Sequence, residues 1–114
     1  MTAKVFSLPI VSKLHHAASK AQRMNSSEWK ELYNACDTLM PSFTEMLRGL
    51  DNRLDYTELQ ICVLLKMNFI LSEIRILLGI SKSVLSHKRQ RMNAKLFNED
   101  GSARDFDKKI ITFT

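Results

Sequence analysis

Apolar residues recur at helical spacing along most of this chain, and the clearest stripe lies between Asn25 and Pro41. Its members follow one another at i, i+3, i+4, i+7, i+10 and i+11, as one face of a helix requires. They are Trp29, Leu32, Tyr33, Cys36, Leu39 and Met40. Asn25 and Glu28 have the spacing of a capping box, and Pro41 is expected to stop the helix. The pattern therefore predicts an amphipathic helix whose stripe faces a core.

Start signals of the same kind predict further short helices on either side. Ser7 is followed two residues later by Pro9, which is tolerated in a first turn, so a first helix is expected to begin there. Its apolar face would consist of Ile10, Leu14, Ala17, Ala18 and Ala21. Ser42 and Glu45 have capping-box spacing and predict another short helix directly after the central stripe.

The second half of the chain has the pattern of a three-helix unit. Asp55 and Glu58 form a third capping box, which opens a scaffold helix. A short helix is predicted over residues 73–78, then a glycine-containing turn over residues 79–81, then a long helix over residues 81–97. A short helix, a tight turn with glycine and a second helix with a polar outward face make a helix-turn-helix.

These elements predict an all-α fold in three parts. Residues 1–50 would form an N-terminal helical buttress, residues 51–97 the helix-turn-helix core, and residues 98–114 a short C-terminal helix. Three Gly and two Pro in 114 residues leave room for few turns, in keeping with a mostly helical chain. Cys36 and Cys62 each occupy an apolar helical position, so two buried free thiols are expected rather than a disulfide.

Composition narrows the function classes. An apolar fraction of 45% and a charged fraction of 25% are those of an ordinary soluble protein. No apolar run approaches the length of a membrane span, no signal peptide is visible, and free thiols suit a reducing cytoplasm. No glycine-rich phosphate loop and no paired nucleophile and base are present, so neither an enzyme nor a cofactor is expected. The adjacent His15 and His16 point to different sides, and no metal site is predicted.

The charge is concentrated in residues 81–97. This segment holds five Lys or Arg residues and no acidic residue, whereas the other twelve Lys and Arg balance all twelve Asp and Glu. Leu85, Met92 and Leu96 form an apolar stripe on the same predicted helix, which leaves the polar and cationic side chains on its other sides. A helix of this kind suits a DNA major groove, which admits a helix, while the phosphates attract the cations. A solvated basic surface helix is the plainer alternative.

The order of short motifs from position 54 to position 97 resembles the helix-turn-helix output domain of LuxR-type bacterial transcription regulators. The matching pieces are Leu54-Asp55-x-x-Glu58, Asn68-x-Ile70, Glu73-Ile74-Arg75, Leu78-Gly79-Ile80-Ser81 and Lys95-Leu96. A similar module at the end of regulators with tetratricopeptide-type sensor regions resembles nearly the whole chain. The pieces that carry this second resemblance are Glu28-Trp29, Pro41-x-Phe43, Cys62, Arg89-x-Arg91, Lys95-Leu96-Phe97, Gly101-Ser102 and Asp105-Phe106-Asp107.

The resemblance implies a DNA-binding effector domain and assigns roles to nine polar residues of the long helix. The residues matching base-contacting positions are Ser86, His87 and Gln90. The residues assigned to phosphates are Lys82, Ser83, Lys88, Arg89, Arg91 and Lys95. For Arg89 an ion pair with Glu58 or Glu73 is an open alternative. The implied partner is double-stranded DNA, bound by a homodimer, with no membrane contact.

Departures from the family pattern predict local differences. Ile70 replaces the usual Ser or Thr cap, so the second helix is expected to start later, at Ser72. Arg75 replaces an alanine and would either change the inter-helix angle or project toward the DNA backbone. Ile76 beside Leu77 could meet the N-terminal helices or a partner. An alternative function is therefore an interaction module that docks RNA polymerase or a partner helix through these residues and the N-terminal stripe.

The C-terminal segment leaves two interpretations open. Residues 98–101 are expected to break the long helix, and Ser102 to cap a last one with Phe106 and Ile110 on one side. In LuxR-type modules the terminal helix commonly serves dimerisation, so this face and the alanine-rich first helix are the predicted dimer contacts. The alternative is a helix folded back on its own core.

Overall fold

A computed structural model describes residues 5, 7–50, 53–97 and 102–113, and every regular element within them is helical. The helices are α1 (Pro9–Ser19), α2 (Ser26–Leu39), α3 (Pro41–Gly49), α4 (Tyr56–Lys66), α5 (Leu71–Leu78), α6 (Lys82–Phe97) and α7 (Ala103–Ile111). The predicted all-α fold is confirmed. Helices α4, α5 and α6 form the helix-turn-helix core, α1 to α3 buttress it, and α7 is the short C-terminal helix. The helix break predicted for residues 98–101 lies outside the described residues.

The scaffold helix α4 occupies the centre of the molecule. All five residues from Ile61 to Leu65 are buried, and α4 packs against α2, α5, α6 and α7. A helical segment that is apolar on every side must be surrounded by other elements, because any exposed side would place apolar side chains in water. Buried side chains from all three predicted parts of the chain belong to one core cluster. The part boundaries at residues 50 and 97 therefore do not separate independent cores.

Three helix starts use the side-chain caps that the sequence predicts. The Glu28 backbone N–H donates to Asn25 Oδ1 (2.8 Å), and the Asn25 N–H donates to the Glu28 carboxylate (2.9 Å). Asp55 and Glu58 exchange the same two bonds at the start of α4, with lengths of 2.7 and 3.0 Å. Ser102 caps α7. These capping boxes satisfy backbone donors that a helix start otherwise leaves unpaired.

The predicted start of α3 was wrong. Ser42 does not cap this helix, which begins one residue earlier at Pro41 with Met40 at the N-cap position and no side-chain cap. Proline presets the helical φ angle and needs no N–H partner in the first turn, so it supplies the start that the capping box was expected to supply.

The predicted start of α5 at Ser72 was also wrong. The helix begins at Leu71, because the Glu73 carboxylate accepts a hydrogen bond from the Ile70 N–H (3.1 Å). This bond is half of a capping box and needs no hydroxyl at position 70. The turn before the helix contains Asn68 in the left-handed conformation, with φ of 71°, as its residue type predicts.

Helix α1 is fixed to the helix-turn-helix by a polar and an apolar contact. It packs against α5 and α2 and buries Leu14, Ala17 and Ala18. The Glu73 carboxylate accepts a hydrogen bond from His15 Nδ1 (2.6 Å), and the His15 ring stacks on Phe69 with a centroid distance of 4.3 Å. Ala17 and Ala18 are thus covered within the chain and are not available as a dimer contact. Ala21, predicted on the same face, lies beyond the end of α1 and is exposed.

Helix α7 folds back on the core. Phe106 and Ile110 are 0% and 1% exposed, and α7 packs against α4 and α6. The apolar face proposed for dimerisation is therefore already covered, because the burial of two large side chains is satisfied within the monomer. The alternative interpretation, a helix packed on its own core, is the one observed.

Both cysteines are buried and free, as predicted. Burial raises the pKa of the Cys36 thiol and of the Cys62 thiol to about 12. Because the thiolate is the reactive form, both side chains act as small apolar core residues. In the part of the chain that the structure describes, no helix has the length and apolar character needed to cross a membrane.

Candidate nucleic-acid interface

Helix α6 buries one side and leaves a broad polar surface in solvent. Leu85 and Met92 are in the core, which confirms the predicted apolar stripe at these positions. We call the opposite surface the outer face of α6. It consists of the exposed residues Lys82, Ser83, Val84, Ser86, His87, Gln90, Arg91 and Ala94. Gly79, with φ of 65°, forms the turn into the helix, and the Ser81 hydroxyl caps it by accepting from the Val84 N–H (3.1 Å).

The three residues predicted to contact bases all lie on the outer face. Ser86, His87 and Gln90 are exposed, and within the described residues their side chains form no hydrogen bond. Gln90 follows Ser86 by four positions and His87 by three, so the three side chains are neighbours on the helix surface. They are brought together by a single element and need no tertiary contact to be positioned.

Three of the six predicted phosphate contacts share this face. Lys82 and Arg91 are exposed and form no ion pair in the described part of the chain. The Ser83 hydroxyl lies 3.3 Å from the Ser81 hydroxyl at the helix start. The positive charge that remains uncompensated on the outer face therefore comes from Lys82 and Arg91.

Arg89, one of the predicted phosphate contacts, is paired within the fold. The residue is 7% exposed, and its guanidinium forms two hydrogen bonds to the Asp107 carboxylate of α7, one of them from Nε to Oδ1 (2.8 Å). The partner is neither Glu58 nor Glu73. Arg89 lies on the flank of α6 that faces α7, so the nearest carboxylate belongs to that helix. A bidentate pair of this kind is among the strongest that side chains form.

Lys95 and Lys88 also form ion pairs, on the opposite flank of α6. Lys95 Nζ donates to Glu58 Oε1 (2.7 Å), and Lys88 Nζ donates to Asp55 Oδ2 (3.0 Å). The two lysines are seven residues apart and therefore face the same neighbour, the start of α4. Both acidic partners belong to the capping box of α4, so each carboxylate serves a helix start and a lysine at once.

Sequence reasoning missed an apolar residue on the outer face. Val84 is 42% exposed and lies among Ser83, His87 and Arg91 around a shallow surface depression. The signal was present in the chain, because Val84 precedes the core residue Leu85 and must point elsewhere on a helix. The ion pairs, by contrast, had no usable signal, since their partners lie 18, 33 and 37 positions apart in sequence.

The apolar surface named for a docking function is covered within the chain. Leu77 is 1% exposed, and the N-terminal stripe that includes Ile10 and Leu14 is buried. Ile76 is partly buried and packs against the same core. Ile76 and Leu77 therefore pack against the core of this chain.

Comparisons of the chain with protein-family models, with curated proteins and with solved structures find no match. A functional assignment consequently depends on the residues of α6 and on the elements that surround it.

Proposed function

We propose that this chain is the DNA-binding effector domain of a bacterial transcriptional regulator, and that it inserts α6 into the major groove. The observation that carries the proposal is the outer face of α6, which is solvent-exposed, polar and positively charged. The opposite side is anchored by the core and both flanks by ion pairs. A major groove accepts a helix of this kind, and the helix must be held rigidly from behind for its side chains to meet base edges.

The outer face offers two kinds of contact. Lys82 and Arg91 carry charges that no carboxylate neutralises in the described residues, so they are suited to bind phosphates. Ser86, His87 and Gln90 lie among them and can form hydrogen bonds to base edges, with glutamine favouring adenine. Fewer side chains are available to bind phosphates than the five cations of α6 suggest, because Arg89, Lys88 and Lys95 form ion pairs within the fold.

Two copies of the chain are expected to bind together. One recognition helix contacts only a few base pairs, and helix-turn-helix proteins commonly bind two half-sites about one helical turn apart. Since the apolar face of α7 and the alanines of α1 are covered, the two copies would meet through other surfaces or only when both are bound to DNA. A probe with two half-sites should therefore bind more tightly than a probe with one.

The test compares Gln90→Ala with Arg91→Ala on a DNA site recovered by in-vitro selection. Gln90→Ala should reduce the preference for that site over random DNA by about 1–3 kcal/mol while non-specific affinity stays nearly constant. Arg91→Ala should weaken binding to both DNAs and lower the slope of log K against log salt by about 0.9. Fluorescence anisotropy over a range of salt concentrations measures both effects.

Lys30→Ala serves as the control, because Lys30 is an exposed lysine on α2 that forms no ion pair in the described residues. It should bind DNA like the wild type. Equal losses on selected and random DNA for both Gln90→Ala and Arg91→Ala would refute base recognition by α6. Binding that does not respond to salt would refute the proposal as a whole.

A further inference from the structure

Three cations from three different parts of the chain lie around the turn that leads into α6. Arg23 belongs to the loop between α1 and α2, Arg75 to α5 and Lys82 to the first turn of α6. We call them the turn-side cations. Only Lys82 belongs to the recognition helix, so the other two would extend a DNA-binding surface beyond that helix.

The backbone holds Arg23 in place. Ala21 ends the turn after α1 with φ of 56°, and the Gln22 N–H donates to the Ala17 carbonyl (2.9 Å). The Met24 N–H then donates to the carbonyl of Leu77 at the end of α5 (2.9 Å). The loop is thus hydrogen-bonded to the helix-turn-helix directly beside residue 23. Together with the anchoring of α1 to α5, these bonds fix where Arg23 can reach.

The side chain of Arg23 covers the turn itself. Its Nη2 lies 3.5 Å from the carbonyl oxygen of Gly79, too long for a strong bond, and the residue is exposed. A Cβ atom at position 79 would collide with the Arg23 guanidinium. Glycine at this position is required by the left-handed turn, and it also leaves the space that the Arg23 side chain occupies.

Arg75 connects Arg23 to Lys82. It lines one surface hollow together with Arg23 and Gly79, and a second hollow together with Lys82 and Ser86. Its Nε is buried and has no hydrogen-bond partner among the described residues. The residue as a whole is only partly buried, so its charge is within reach of an anion at the two hollows.

The turn-side cations also lack counter-ions. In the described part of the chain, none of the three forms an ion pair, whereas Arg89, Lys88 and Lys95 each do. Like charges gathered without carboxylates create a positive potential that attracts a polyanion. The turn-side cations lie near the start of α6, where the unpaired N–H groups of the first helical turn also favour phosphate oxygens.

We infer that the loop between α1 and α2 is part of the DNA interface, and that Arg23 binds a backbone phosphate beside the major groove that α6 enters. The other two turn-side cations, Arg75 and Lys82, would bind further phosphates between Arg23 and the outer face of α6. The inference rests on the proposed function and extends it. The N-terminal buttress contributes affinity without sequence preference, because phosphate contacts carry no base information.

The experiment uses the full chain with Arg23→Gln, Arg23→Lys and, as a control, Lys30→Gln. Binding to the selected site and to random DNA is measured by anisotropy over a range of salt concentrations, and thermal melts check folding. Arg23→Gln should weaken binding to both DNAs by the same factor and lower the salt slope by about 0.9. Arg23→Lys keeps the charge and should retain the wild-type slope, and Lys30→Gln should match the wild type.

The outcomes separate this inference from the proposed function. If the wild type binds DNA with a salt-dependent affinity and Arg23→Gln binds equally well, the loop is not in the interface, although α6 still is. If Arg23→Lys loses as much affinity as Arg23→Gln, the residue acts on the shape of the turn and the inference is overturned. If the wild type does not bind DNA at all, both proposals fail.

Discussion

The outer face of α6 and its two flanks carry the same residue types but use them differently. On the outer face, Lys82 and Arg91 project into solvent without a carboxylate partner in the described residues. On the flanks, Lys88 and Lys95 pair with the capping box of α4, and Arg89 pairs with Asp107 of α7. The charge of a helix is therefore a poor measure of its capacity to bind DNA. Cations that face neighbouring helices stabilise the fold, and only those that face solvent are available to the proposed DNA partner.

The three flank pairs form a series of decreasing burial. The Arg89 and Asp107 side chains are both largely buried, Glu58 is buried beneath a partly exposed Lys95, and Asp55 is about half exposed beside Lys88. The energetic value of an ion pair depends strongly on burial, because water screens exposed charges and an unpaired buried charge is costly. Removal of a flank cation should therefore lower the free energy of unfolding most at Arg89 and least at Lys88.

Arg89→Ala should have the largest effect on stability, lowering the free energy of unfolding by about 3–5 kcal/mol, since it leaves the Asp107 carboxylate without its partner. Arg91→Ala on the outer face should change it by no more than about 0.5 kcal/mol. Urea unfolding followed by circular dichroism measures both. The double variant Arg89→Met with Asp107→Leu should recover most of the loss, because it removes both charges and keeps the volume. Similar losses for Arg89→Ala and Arg91→Ala would abolish the distinction between flank and outer face.

Lys95→Gln should have an intermediate effect of about 1.5–3 kcal/mol, the value of a hydrogen bond to a charged group. Glu58 is 1% exposed and also accepts from the Asp55 N–H, so its charge cannot turn toward water without opening the capping box. Unfolding in urea is again the measurement. The matched variant Lys95→Gln with Glu58→Gln should be more stable than Lys95→Gln alone. If the double variant is the less stable of the two, the cap of α4 matters more than the ion pair.

Lys88→Gln should have the smallest effect, about 0.2–1 kcal/mol, because the pair is exposed. Partial burial raises the pKa of Asp55, whereas the Glu58 N–H, Lys88 and Lys95 together lower it by more. The pKa of Asp55 therefore lies below the ordinary value of 3.8. A carboxyl with a lowered pKa contributes stability above its unfolded pKa and loses it as the pH falls through the folded pKa. The melting temperatures of wild type and Lys88→Gln should differ at neutral pH and converge once the pH is well below 3.8. A difference that persists in acid would show that Lys88 acts through packing alone.

The amino-acid sequence by itself determined the helices, their principal caps and the outer face of α6. These features depend on residues three or four positions apart, and interactions at that range are properties of the local chain. Asn25 with Glu28, Asp55 with Glu58, and Ser86 with Gln90 on the outer face of α6 are examples. The two misplaced starts, of α3 and α5, have the same local origin. Pro41 and the Glu73 carboxylate are sufficient start signals for these two helices.

Only the tertiary structure decided which charges are free and which apolar faces are covered. Arg89 pairs with Asp107 rather than with Glu58 because α7 folds back beside α6, and the same packing buries Phe106. Arg23 meets Gly79 because the loop after α1 is hydrogen-bonded to the end of α5. These contacts join residues 18 to 56 positions apart. No periodicity encodes them, since they arise from how whole helices pack around α4, and that packing is set by the entire core at once.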